Sequence, residues 1–177
     1  PLLMSVLLGL SSSAFADWTL LNDESSLHYV SIKSTNIAEM NRFKTLTGSV
    51  SEQGAVELKV DLSSVDTGVD IRDERMQTML FDVAQFAQAT VTGKVDLERV
   101  TKLEVGETYT DSITLNLALH GLSKEVSSHV QVTRLADDKV LITTLEPVVL
   151  NAADYKLAEG LEALRVIAKL PAISPVV

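Results

Sequence analysis

Strict two-residue alternation is the feature that most constrains this chain. Over residues 111–120 the apolar side chains are Ile113, Leu115, Leu117 and Leu119, with Ser112, Thr114, Asn116, Ala118 and His120 between them. A strand points successive side chains to opposite faces, so this segment reads as a strand with one buried and one solvated face. Residues 55–62 repeat the pattern with Val56, Leu58, Val60 and Leu62 against Glu57, Lys59 and Asp61, and residues 91–97 with Val91, Gly93, Val95 and Leu97. Two more strands, 125–135 and 139–145, flank the turn-forming Ala136-Asp137-Asp138. Residues 26–33 and 43–51 fit less strictly. With residues 18–22 this gives about eight strands joined by short loops, which predicts a mainly β fold, an antiparallel meander or barrel.

Two segments depart from the period of two. Residues 71–83 carry Met76, Met79, Leu80 and Val83 at helical spacing, with Asp70 or Asp73 placed to cap or complement the helix start. Residues 152–170 place Leu157, Leu161, Leu164 and Ala168 on one face, Glu159 and Glu162 on the other, and Pro171 past the end. The reading is one inserted helix and one C-terminal amphipathic helix. Gly160 costs up to about 1 kcal/mol in mid-helix, so either the helix breaks there or something packs closely against it.

The strand residues expected to face inward are almost all aliphatic: Val56, Leu58, Val60, Val91, Val95, Ile113, Leu115, Leu117, Leu119, Val126 and Val130, with Gly93 leaving space. A small barrel encloses either a packed core or one small-ligand cavity. A cavity lined this way would be dry and would suit an apolar chain. Periodicity leaves core and cavity both open.

Charge and composition exclude several classes of partner. The chain has 177 residues and a formal net charge of −9, with no basic cluster, which disfavours nucleic acid and anionic membrane surfaces. It has no cysteine, which removes disulfides, thiolate metal sites, cysteine nucleophiles and a thioether lipid anchor. Residues 1–16 combine an apolar run from Leu2 to Leu10 with small residues at Ala14 and Ala16. The run is half the length needed to span a bilayer, and the pattern is that of a cleaved secretory signal whose basic start lies upstream of Pro1. The expectation is a soluble periplasmic domain over residues 17–177, without stable membrane insertion.

Residues that could carry chemistry have plainer readings. His28, His120 and His129 are the three histidines. His120 and His129 fall on adjacent strands, but on their outward sets and with no carboxylate fixed beside them, so no metal ligand is assigned. Arg72-Asp73-Glu74-Arg75 mixes acid and base, yet Asp73 at a helix start is more simply a dipole-complementing residue with Arg72 as its partner. No G-x-S-x-G elbow or glycine-rich phosphate loop is present, and no catalytic residue is assigned.

Six stretches in order resemble the YceI-like family of secreted bacterial proteins. They are Trp18 with Leu20; Ser25-Ser26-Leu27-His28-Tyr29; Phe43 with Gly48; Thr67-Gly68, Arg72-Asp73 and Met79-Leu80-Phe81-Asp82-Val83; His120-Gly121-Leu122-Ser123-Lys124-Glu125-Val126; and the tail from Asn151-Ala152-Ala153-Asp154-Tyr155 to Arg165. The chain departs from the family pattern at Ala87 and Val91, where proline and an aromatic strand are usual, and at Glu125, where the turn usually carries proline. The resemblance implies an eight-stranded lipocalin-like barrel that binds a polyisoprenoid lipid in an apolar interior, and no enzymatic activity. The side chains it nominates for the ligand are Leu27, Tyr29, Val60, Met76, Met79, Leu80, Phe81, Phe86, Val91, Leu115, Leu117 and Leu119, with the polar head near Tyr29, Lys33 or Arg72. It implies no cofactor beyond the bound lipid or quinone, and it leaves a homodimer open. The competing reading is a secreted interaction or stress-response protein with a filled barrel and no ligand.

Overall fold

The computed structural model describes residues 18–177; the expected secretory segment lies outside them. Ten strands run in order: β1 (Trp18–Thr19), β2 (Leu27–Lys33), β3 (Ile37–Phe43), β4 (Leu46–Val50), β5 (Ala55–Asp61), β6 (Val65–Asp66), β7 (Gln88–Lys94), β8 (Thr108–Leu119), β9 (Leu122–Ala136) and β10 (Lys139–Thr144). Three helices are interspersed: α1 (Asp70–Arg75), which continues as a π-helical turn over Met76–Leu80, the short α2 (Glu98–Lys102), and α3 (Ala158–Ile167). The large sheet has the order β1-β4-β5-β7-β8-β9-β10, and β2-β3-β6 form a second, three-stranded sheet.

The two sheets share their first three strands. A 3-10 turn at Asn22–Glu24 separates β1 from β2, two residues separate β3 from β4, and a 3-10 turn at Leu62–Ser64 separates β5 from β6. Each is one long strand bent onto a second sheet, and the two strands beyond the eight expected are β3 and β6, the far parts of two of these bends. Among these, β3 is the strand the sequence hides. Its apolar residues Ile37, Met40 and Phe43 recur every third position, so no alternation shows.

The antiparallel meander is as expected, but full closure of a barrel is not. β1 and β10 are the two edges of a curled sheet and are not paired with each other. Part of the circuit is completed by the C-terminal tail, where Ser174 N–H donates to Ile32 O (2.7 Å) and Ser34 N–H to Ala172 O (2.9 Å). The same tail pairs with the segment after β10 through Leu150 and Val177.

The pairing registers place the expected inward set on one concave face. Val56 lies opposite Gly93, Leu58 opposite Val91, Val91 opposite Leu117, and Leu115 opposite Val126. At the β8–β9 turn, His120 and Gly121 both have positive φ (50° and 75°), the backbone that a two-residue hairpin loop requires.

The helices differ from expectation in detail. The single C-terminal helix over 152–170 is two pieces, a 3-10 turn (Ala152–Tyr155) and α3, broken at Lys156 with φ 56°. Within α3, Gly160 is explained by close packing: a Cβ there would lie 2.3 Å from the Met79 carbonyl oxygen and 2.9 Å from Leu80 Cα. α3 therefore rests backbone to backbone on the π-helical turn.

Candidate functional site

The concave face divides into a covered part and an open part. In the covered part Leu46, Val60, Leu62, Val65, Ala89, Leu117 and Leu119 are buried together with Met76, Leu80, Phe81, Tyr155 and Leu157. The π-helical turn and α3 close this end. Farther along the same face Val56, Leu58, Val91, Val95, Ile113, Leu115 and Val126 are only half-buried. From the small sheet Leu27, Tyr29 and Phe43, also half-buried, pack against the covered cluster. Aliphatic side chains that line a concave interior and still meet solvent form an apolar trough that an apolar guest would fill favourably.

Aromatic contacts bind the small sheet to the plug. The Tyr29 and Phe43 rings lie 5.5 Å apart and those of Phe43 and Phe81 5.9 Å apart. Tyr29 Oη donates to Met76 Sδ at 3.6 Å. Burial pushes the Tyr29 phenol well above its ordinary pKa, with Arg72 opposing and Asp73 and Asp66 adding to the shift, so it remains a neutral donor.

Next to this aromatic wall the inner face of the small sheet turns polar. Asn41, opposite Tyr29 in the register, is buried and donates to Ser31 Oγ at 3.2 Å. One pair farther on, Glu39 accepts from Lys33 Nζ at 2.6 Å and from Arg72 Nη1 at 2.7 Å. Arg72 Nη2 donates to the Thr67 carbonyl at 2.6 Å, and its Nε is buried without a partner. Arg72 thus ties α1 to β3 and keeps one unused donor. The expected Arg72–Asp73 pairing is corrected. Asp73 instead accepts from Thr67 N–H (3.0 Å) and Thr67 Oγ1 (2.5 Å), and α1 has no side-chain cap at Val69. It fixes the loop that enters the helix.

The Lys33 hydrogen bond holds the Glu39 carboxyl below the usual carboxylate range, against its own desolvation and with help from Arg72. A group whose folded pKa is depressed stabilises above its unfolded value, near 4.3, and that contribution fades as pH falls through the lower folded value. Wild type is therefore expected to exceed Glu39→Gln in stability at neutral pH. Since Glu39 and Arg72 are each about one-third exposed, the difference should be about 1 kcal/mol or less. Thermal unfolding at pH 7 and again at about pH 3 checks this; a difference that persists undiminished in acid contradicts it.

Nine of the twelve nominated ligand residues come together: Leu27, Tyr29, Val60, Met76, Leu80, Phe81, Val91, Leu117 and Leu119 belong to or pack against one cluster. Three lie apart from it. Leu115 is on the open part of the face and covers Gly93, where a Cβ would meet its Cδ2 at 2.3 Å, so the space expected at Gly93 is taken by Leu115. The Met79 backbone packs closely against Gly160. Phe86 packs at a tilt of 51° against His120 at the hairpin turn, with centroids 4.4 Å apart. The sequence reading missed Ser31, Glu39 and Asn41. Ser31 and Lys33 share the parity of Tyr29 along β2, which was the available signal.

The histidine pair does not converge. His120 sits in the turn with Nδ1 3.2 Å from Tyr155 O, whereas His129 faces Ser112 far along β9, about 24 Å away at strand rise. A recess of about 620 Å³ at the β4–β5 turn is lined by Glu52, Lys94, Asp96 and Glu98 as well as Val95 and Leu97, which is a polar rim unsuited to an apolar chain.

A curled antiparallel sheet with an aliphatic concave face, closed at one end by a Met-bearing helix, defines a barrel-type binding protein. The YceI-like domain model matches residues 18–174, and the chain belongs to that family. Among solved structures it is 39% identical to a polyisoprenoid binding domain from Saccharophagus degradans implicated in plant cell wall breakdown, with a TM-score of 0.83 over 85% of this chain and 87% of that one. Burkholderia cenocepacia BcnA shares the fold at 16% identity, with a TM-score of 0.60 over 84% and 89% of the two chains. A Campylobacter jejuni YCEI protein shares it at 18% identity, with a TM-score of 0.50 over 67% and 71%. No curated protein matches the chain.

Proposed function

We propose that this protein binds an amphipathic polyisoprenoid lipid, an isoprenoid quinone or its precursor, in the trough, and carries or sequesters it in the periplasm. The observation that carries the reading is the half-buried aliphatic stretch from Val56 to Val126 on the concave face; on the small sheet, beyond Tyr29, the polar group of Ser31, Asn41, Glu39 and Arg72 offers a place for a head group. Each isoprene unit brings about five carbons. At about 0.8 kcal/mol per buried CH₂ as an upper bound, a few units give useful affinity after the cost of association. The neutral Tyr29 phenol and the free Arg72 Nε suit a head group with hydrogen-bond acceptors. The 39%-identical domain described as polyisoprenoid binding supports the same ligand class. The filled-barrel alternative draws its support from the buried cluster around Leu62 and from Val130 and Val132, buried on the same face, but these cover only part of it.

Trp18 is the sole tryptophan and shares the concave face through its register with Val50. Titration of lipid-free protein with a long-chain polyprenol should change Trp18 emission saturably, and a short polar alcohol should not. An unsaturable response, equal for both, counts against the reading.

A further inference from the structure

The unpaired seam between β1 and β10 has the features of a lateral door. The strand order leaves both as sheet edges, and the direction of alternation along seven antiparallel strands makes them run the same way. Farther up, backbone bonds through the C-terminal tail complete the circuit. Along the seam the visible tie is a side-chain ion pair: Lys139 Nζ, at the start of β10, contacts Glu24 Oε2 in the turn after β1. Both partners are substantially exposed, at 37% and 57%, and such pairs hold weakly.

The residues beside the seam are apolar and uncovered. Ile142 lies opposite Val132 in the register, so it shares the concave face, yet it is 58% exposed while Val132 is 5% exposed. Leu141 and Leu145 on one rim and Leu21 on the other are about half exposed. Exposed apolar side chains therefore stand on both sides of the seam, with no charge from Val140 to Leu145. A packed sheet edge on a soluble domain would ordinarily carry charge there.

We infer that this seam is the portal through which the hydrocarbon chain enters and leaves sideways, and that Glu24–Lys139 is its latch. The inference rests on the proposed lipid binding. A long chain can slide between two unpaired strands without breaking a ladder.

The absence of native cysteine allows a direct test. Glu24→Cys/Lys139→Cys protein is folded first, then bridged with a short bis-maleimide, and exchange of a fluorescent polyprenol with phosphatidylcholine vesicles is followed. Before bridging, the variant should load to the wild-type extent, and its exchange should be as fast or faster. Bridging should slow both loading and release by about tenfold or more, and protein bridged after loading should keep its lipid. A second variant, Glu24→Lys, places like charges across the seam and should speed exchange without changing the amount bound at saturation. If wild type binds and both manipulations leave the rates unchanged, the portal is refuted and the lipid reading stands. If wild type takes up no polyprenol, both fall.

Discussion

Leu115→Trp is expected to abolish most polyprenol uptake while leaving the fold close to wild-type stability. Leu115 is half-buried on the open part of the concave face, opposite Val126 and over Gly93. An indole there would fill the trough that the lipid needs. Overpacking a filled core costs about 1–3 kcal/mol, and a site that still meets solvent should lie at the low end. Leu117→Trp is the informative contrast. Leu117 is 8% exposed within the buried cluster, so its replacement should pay the full overpacking penalty and lower the melting temperature clearly. Thermal unfolding and lipid retention measured on both variants separate the two sites. Equal loss of stability in the two would mean that the interior is filled throughout.

Gly160→Ala should destabilise the protein, although helix propensity alone favours alanine by about 1 kcal/mol. A Cβ at this position would come within 2.3 Å of the Met79 carbonyl oxygen, and backbone cannot move aside as a flexible side chain can. α3 would have to lift from the π-helical turn that carries Met76 and Leu80, two buried members of the cluster. The expected net cost is about 1–3 kcal/mol, together with faster lipid release as the plug loosens. A variant more stable than wild type would show that α3 does not bear closely on the turn.

The concave face was legible because β5, β7, β8 and β9 each bury one side and wet the other, so parity alone assigns Val56, Val91, Leu115 and Val126 to the same surface. The bend that splits the first three strands into a second sheet was not legible. It depends on two 3-10 turns and on pairing between segments that sequence patterning does not link. β3 was hidden because its inward positions, Glu39 and Asn41, are polar and its exposed Met40 is apolar, the reverse of the usual pattern. The polar group on the small sheet shares that cause. Glu39 and Arg72 are 33 residues apart in sequence and meet only after β3 and α1 pack together. The break at Lys156, where a left-handed backbone precedes α3, was not legible, because the apolar face read from the sequence starts only at Leu157 and the one position marked for a possible break was Gly160.

Polyisoprenoid binding is tested most directly by the molecule that the protein carries. The full chain, expressed with its N-terminal segment in a bacterium and purified from the periplasmic fraction without detergent, is extracted with organic solvent, and the extract is analysed by mass spectrometry. The account predicts a long-chain isoprenoid, a quinone or its precursor, near one per protein molecule, and much less of it from Leu115→Trp prepared in parallel. An extract with no isoprenoid enriched over the Leu115→Trp control, from folded protein that also fails to take up added polyprenol, would contradict it.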